Sequence, residues 1–116
     1  MKYLLLLYGN QSQAPSYTPE EASAARQSWF DLLADMKAAK VYLFNYGLPP
    51  HANATTVRVR NGETLTTRDA PAESDDQLGG YFMLECENLD EAIRWAAKIP
   101  YAQYGSIEIR PMIAYT

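Results

Sequence analysis

Apolar positions along this chain follow three rhythms. The first is the unbroken run. Tyr3 to Tyr8, in "MKYLLLLYG", is apolar at every position and is ended by "GNQSQAPS". Such a run suits a central strand with both faces covered. "VYLFNYGL" and "GYFMLECE" have the same character, and Gly47, Pro49 and Pro50 stop the first of them. The second rhythm is helical. In "TPEEASAARQSWFDLLADMKAAK", Ala22, Ala25, Trp29, Leu32, Leu33 and Met36 fall on one face. Thr18 is placed to cap that helix, with Pro19 at its first position and Glu21 closing a capping box. The helix should end near Lys40. "NLDEAIRWAAKIP" predicts a second helix, capped by Asn88 with Glu91 three residues on and stopped by Pro100. Its inward positions read as Ala92, Ile93, Ala96 and Ile99. The third rhythm is strict alternation. "TTVRVRNGETLTTR" predicts a hairpin turning at Asn61-Gly62. That register sets Arg60 against Glu63 and puts Val57 and Val59 on one face with Thr64 and Thr66. In "GSIEIRPMIAYT", Ile107 and Ile109 point inward and Glu108 and Arg110 outward.

The order is β-α-β, a hairpin, then β-α-β. Right-handed crossovers place both helices on one face of a mainly antiparallel sheet, which is a ferredoxin-like α+β fold. Two helices cover one face only, whereas Leu4–Leu7 and Tyr81–Leu84 are apolar on both. A second copy of the chain is the simplest cover, so a homodimer with two sheets packed face to face is expected.

Length and composition narrow the picture. The 116 residues make one domain, 1–116, with 47% hydrophobic and 21% charged residues. A net charge of −4 and ten scattered Lys and Arg residues offer no stripe for phosphates, so nucleic acid is not an expected partner. Cys86 is the only cysteine and His51 the only histidine. An intrachain disulfide is impossible, a dedicated zinc site is not expected, and a reducing, cytoplasmic setting is the natural one. The N-terminal run is too short for a secretory segment, and no membrane span is expected.

Candidate chemistry gathers around "TTRDAPAESDDQLGGYFMLE". Asp69 can act as a general base or ligand acceptor, or it can serve the turn before Pro71. Arg68 can hold a carboxylate or phosphate, or stand solvated at a strand end. His51, in "LPPHANATT", is the one side chain that titrates near neutrality. Asn45 and Tyr46 can line a cavity between sheet and helices. Gly79 and Gly80 are not a phosphate loop, since no Lys-Ser/Thr follows; they suit a bulge or a close backbone approach. Cys86, between Glu85 and Glu87 in an apolar strand, reads as an inert core thiol.

The stretch "ATTVRVRNGETLTTRDAPAESDDQLGGYFMLECENLDEAIRWAAKIP", with "MKYLLLLYG" before it and "GSIEIRP" after it, resembles the DGPF-domain proteins of the YCII-related group. These belong to the dimeric α+β barrel superfamily. The resemblance spans nearly the whole chain and implies a ferredoxin-like protomer and a dimer. Two departures matter. The family's Asp-Gly-Pro-Phe is Asp69-Ala70-Pro71-Ala72 here, so a glycine and an aromatic ring are missing. The related branch is proposed to use a histidine three residues after an arginine in the first helix. After Arg26 that position holds Trp29, whose indole only donates. The expectation is therefore a cofactor-free, metal-free module that binds a small ligand or a partner without a catalytic histidine. The alternative is a cofactor-free enzyme on a small organic substrate, with Asp69 as base or orienter and His51 or Arg68 assisting.

Overall fold

The computed structural model describes residues 1–49, 54–68 and 76–115. Strand β1 (Lys2–Gly9) leads through a polar loop to helix α1 (Pro19–Ala38), and β2 (Tyr42–Gly47) follows. A hairpin of β3 (Thr55–Arg60) and β4 (Glu63–Arg68) comes next, then β5 (Gln77–Glu85), helix α2 (Leu89–Ala96) and β6 (Ser106–Pro111). The four long strands form one sheet in the order β2-β5-β1-β6, and every described pairing in it is antiparallel. This is the ferredoxin-like order, with the β3–β4 hairpin as a separate two-stranded sheet.

Local chemistry explains the elements. At the start of α1 the Glu21 amide donates to Thr18 Oγ1 at 3.2 Å, and the Thr18 amide donates to the Glu21 carboxylate at 3.2 Å. Two of the orphan amides of the helix start are thereby satisfied, and Pro19 has none to satisfy. The Thr18 amide first, and the Thr18 hydroxyl second, hold the Glu21 carboxyl below its usual range. At α2 the Glu91 amide donates to Asn88 Oδ1 at 2.9 Å. The Glu91 carboxylate reaches past the cap to the Glu87 amide, also at 2.9 Å. In the hairpin, Asn61 and Gly62 have φ of 52° and 79°, as a type I′ turn requires. Arg60 lies opposite Glu63, Val57 opposite Thr66 and Val59 opposite Thr64, as the alternation predicts.

The core lies between the sheet and the two helices. Tyr3, Leu5, Leu7, Phe82 and Leu84 meet Leu32 and Met36 of α1, and Ala92 and Ala96 of α2, with Ile107 and Ile109 packed at the margin. Trp29 stacks on Phe82 with centroids 5.9 Å apart and planes 7° from parallel. Cys86 is buried in the same cluster. Burial first, then the Glu91 carboxylate, pushes its thiol up to about 11.

Two expectations for α2 are corrected. Ile93 is 48% exposed, because the inward stripe runs Ala92, Ala96 and Ile99 and Ile93 sits a sixth of a turn or more off it. The helix also stops at Ala96 rather than at Pro100. Ile99 is extended, as the residue before a proline prefers, and Pro100 opens a 3-10 turn over Pro100–Gln103. Ile99 is still fully buried, but from outside the helix.

Candidate functional site

The site lies at the end of the sheet where β1 and β2 finish and β5 begins. Pairing of β1 with β5 runs to Leu7–Gly80 and resumes at Tyr8–Leu78, which leaves Gly79 as a bulged residue. The "LGG" stretch therefore does what its glycines suggested. A Cβ on Gly79 would run into the Tyr101 hydroxyl and sit 3.0 Å from the Tyr101 Cζ. A Cβ on Gly9 would lie 3.2 Å from the rings of both Tyr101 and Tyr104. Tyr101 is thus laid across two glycines that are 70 residues apart in the sequence. Tyr104 leans on it, with centroids 5.3 Å apart and planes at 36°. Burial, with the Tyr101 and Tyr17 hydroxyls nearby, raises the Tyr104 phenol above its ordinary range.

Gly9, Leu48, Pro49, Gln77, Gly79 and Tyr101 enclose a pocket of about 70 Å³. That is room for a few waters or a fragment-sized group, and well below the volume of a pocket for a drug-sized ligand. Among the described residues no charged side chain lines it. Its described polar side-chain groups are the Tyr101 hydroxyl and the Gln77 amide, which can each donate and accept.

The residues singled out by sequence fall in different places. Asn45 pairs across from buried Phe82, on the helix side, and accepts a 2.6 Å hydrogen bond from the Tyr42 hydroxyl. Tyr42 and Asn45 share that side, three residues apart, because the strand is irregular at Leu43. Tyr46 pairs across from Tyr81 on the opposite side of the sheet, with the two rings 5.9 Å apart. The two residues therefore line no common cavity. Arg68 ends β4, exposed, across from Thr55. His51 and Asp69 lie outside the described residues. Tyr101 and Gly9 carry the pocket and were not among the sequence candidates. No local motif joins them; only the tertiary fold does.

Trp29 is occupied by its stacking on Phe82. Among the described residues, no group of three or more His, Cys, Asp or Glu is placed to hold a metal ion. Nor is any described helix long and apolar enough to cross a membrane.

Topology and site define a small α+β protein whose pocket is built from glycines and a tyrosine at the end of a ferredoxin-like sheet. The chain belongs to the YCII-related domain family, whose model matches residues 1–116. It is similar to an uncharacterized protein of Rhizobium meliloti (strain 1021), 29% identical over 124 residues that cover 99% of this chain and 94% of that one. Among solved structures it is similar to the 5-chloro-2-hydroxyhydroquinone dehydrochlorinase of Burkholderia phenoliruptrix AC1100, in complex with 2,5-dihydroxybenzoquinone. There the identity is 12% and the TM-score 0.48, with 97% of this chain and 94% of that chain covered.

Proposed function

We propose that this protein is a cytoplasmic homodimer that binds a small uncharged molecule at the Tyr101 end of its sheet. The observation that carries the reading is the pocket itself, with its glycine floor, its tyrosine wall and, among the described residues, no charged side chain in the lining. A neutral ligand can enter it without bringing a charge into a place that offers no counter-charge. The aromatic ring supplies contact area, and the hydroxyl and amide supply orientation. The dimer is supported by the bare face of the sheet, where Phe44, Tyr46 and Tyr81 cluster beside Met83, Leu4 and Leu6. The cytoplasmic setting is supported by the lone, buried Cys86.

The test is a thermal-shift screen of small neutral metabolites with Tyr101→Phe and Asp69→Asn in parallel. A ligand at 100 times its dissociation constant adds about 2.7 kcal/mol of stability. A hit weakened by Tyr101→Phe supports the reading, and a hit indifferent to it moves the site elsewhere. The absence of any hit favours a module that binds another protein.

One observation favours a second reading, a cofactor-free enzyme. The segments that carry His51 and Asp69 join the described chain beside Pro49 and close to Gln77, both in the pocket lining. In that case Asp69→Asn abolishes turnover of the bound molecule while leaving the melting temperature unchanged.

A further inference from the structure

Among the described residues the β3–β4 hairpin joins no larger sheet: its strands pair only with each other, and no strand of the four-stranded sheet borders them. A lone two-stranded hairpin is marginal in water and needs a surface to pack on. This one nevertheless presents three apolar side chains to solvent, with Val57 and Val59 each 59% exposed on one face and Leu65 44% exposed on the other. It is also an arm rather than a pad. The radius of gyration is 16.5 Å, against about 13 Å for a compact chain of this length. The longest dimension reaches 49 Å while the thinnest is 18 Å.

Charge says what the arm fits. Arg58, Arg60 and Arg68 against Glu63 give residues 55–68 a charge of +2. The remaining seven basic and thirteen acidic residues leave −6 on the rest of the chain. In the described body, residues 1–49 and 76–115, seven basic and ten acidic side chains leave −3, so the arm is opposite in charge to the body that carries it, but it does not pair with that body's sheet. Its position agrees with this. It leaves from the end of β2 and returns to the start of β5, the two strands that bear Tyr46 and Tyr81 on the bare sheet face.

We propose that the hairpin is an exchanged arm, which closes over the acidic body of a second copy of this chain. Its Val57–Val59 face is covered there and its arginines are set against the partner's carboxylates. The inference rests on the two-copy reading above and adds to it a second contact, reciprocal by symmetry. It gives the association a term that weakens with salt, which packing of two apolar sheet faces alone would not.

The experiment compares the full-length chain with Val57→Thr/Val59→Thr and with Arg58→Gln/Arg60→Gln. Sedimentation equilibrium in low and high salt gives the association, and far-UV circular dichroism checks the fold. Both pairs change exposed side chains and keep the hairpin's own register. The valine pair should weaken the dimer at least tenfold. The arginine pair should remove most of the salt dependence seen in the unmodified chain. A folded variant that dimerises as tightly as the unmodified chain overturns the arm and leaves the dimer standing. An unmodified chain that stays monomeric overturns both. Should a variant unfold, hydrogen exchange of the unmodified chain decides. Amides of residues 55–68 should be protected above the dissociation constant and lose that protection on dilution below it; exchange that is indifferent to dilution overturns the proposal.

Discussion

The two faces of the four-stranded sheet are cut from the same runs of residues and have opposite fates. Leu5, Leu84 and Phe82 are at most 1% exposed under the helices. Leu4, Leu6, Tyr81 and Met83, their immediate neighbours along the same strands, are only half-buried. Tyr46 on the adjoining strand is 62% exposed. An apolar run therefore states that both faces are to be covered, but not by what. Two helices supply one cover, and in the two-copy reading proposed above a second chain supplies the other. The faces also differ in kind. The covered one is mostly aliphatic and interdigitated, whereas the bare one is rich in tyrosine, which tolerates water at its hydroxyl and suits a surface that is free part of the time.

This contrast can be broken most directly by removing one ring from each face. Phe82→Ala leaves a cavity beside Trp29 and should cost about 3–5 kcal/mol in urea unfolding. Tyr46→Ser in dilute protein should change stability by less than about 0.5 kcal/mol, and should act on association instead. Comparable losses from both would mean that the bare face is already covered within one chain. A smaller effect is expected at the edge where the faces meet. Gly79→Ala drives a methyl group into Tyr101 and should cost about 1–3 kcal/mol. Tyr101→Phe in the same chain should return part of that loss, because the clashing hydroxyl is gone. Smaller again, Thr18→Ala strips the cap from the helix that carries Trp29 over Phe82 and should cost about 1 kcal/mol.

Cys86 reports on the covered face through pH. A thiol raised from 9.0 to about 11 contributes stability that is present below pH 9 and lost as pH rises through 11. Unfolding free energy should therefore be insensitive to this group at neutral pH and decline between about pH 9 and 11. The same shift lowers the thiolate fraction at pH 8 about a hundredfold, so native labelling by a thiol reagent should be slower than that of the unfolded chain by at least that factor. Fast native labelling would show that the core opens at α2. Glu21 acts in the opposite direction. Its carboxyl is held low, so its contribution is present above the ordinary carboxylate range and fades as pH falls through it.

What could be read from residues alone was whatever depends on neighbours in sequence. The Asn61-Gly62 turn, the Thr18 and Asn88 caps and the Arg60–Glu63 pairing are short-range chemistry, and the structure has each where the residues put it. Periodicity placed the strands but failed where the period breaks. The irregularity at Leu43 aligns Tyr42 with Asn45, which no two-residue rhythm announces. On α2 the mistake was angular, since Ile93 is as apolar as its neighbours but lies off the stripe. The pocket was the least legible feature. Tyr101 matters because of Gly9 and Gly79, and each of those glycines has an ordinary local explanation when read by itself.

The strand order carries a consequence in time. Leu5 of β1 pairs with Phe82 on one side and with Ile109 on the other, so β1 sits between two strands that are made long after it. At about 5–20 residues per second, Leu4–Leu7 emerges roughly 5–20 s before its final neighbour exists. Contacts so distant along the chain also slow the closing step itself, towards the millisecond-to-second range. During synthesis the stickiest segment of the molecule is thus also the one that waits longest for its place. A ribosome-bound intermediate with four bare leucines is where a chaperone, or an aggregating neighbour, would first meet this protein.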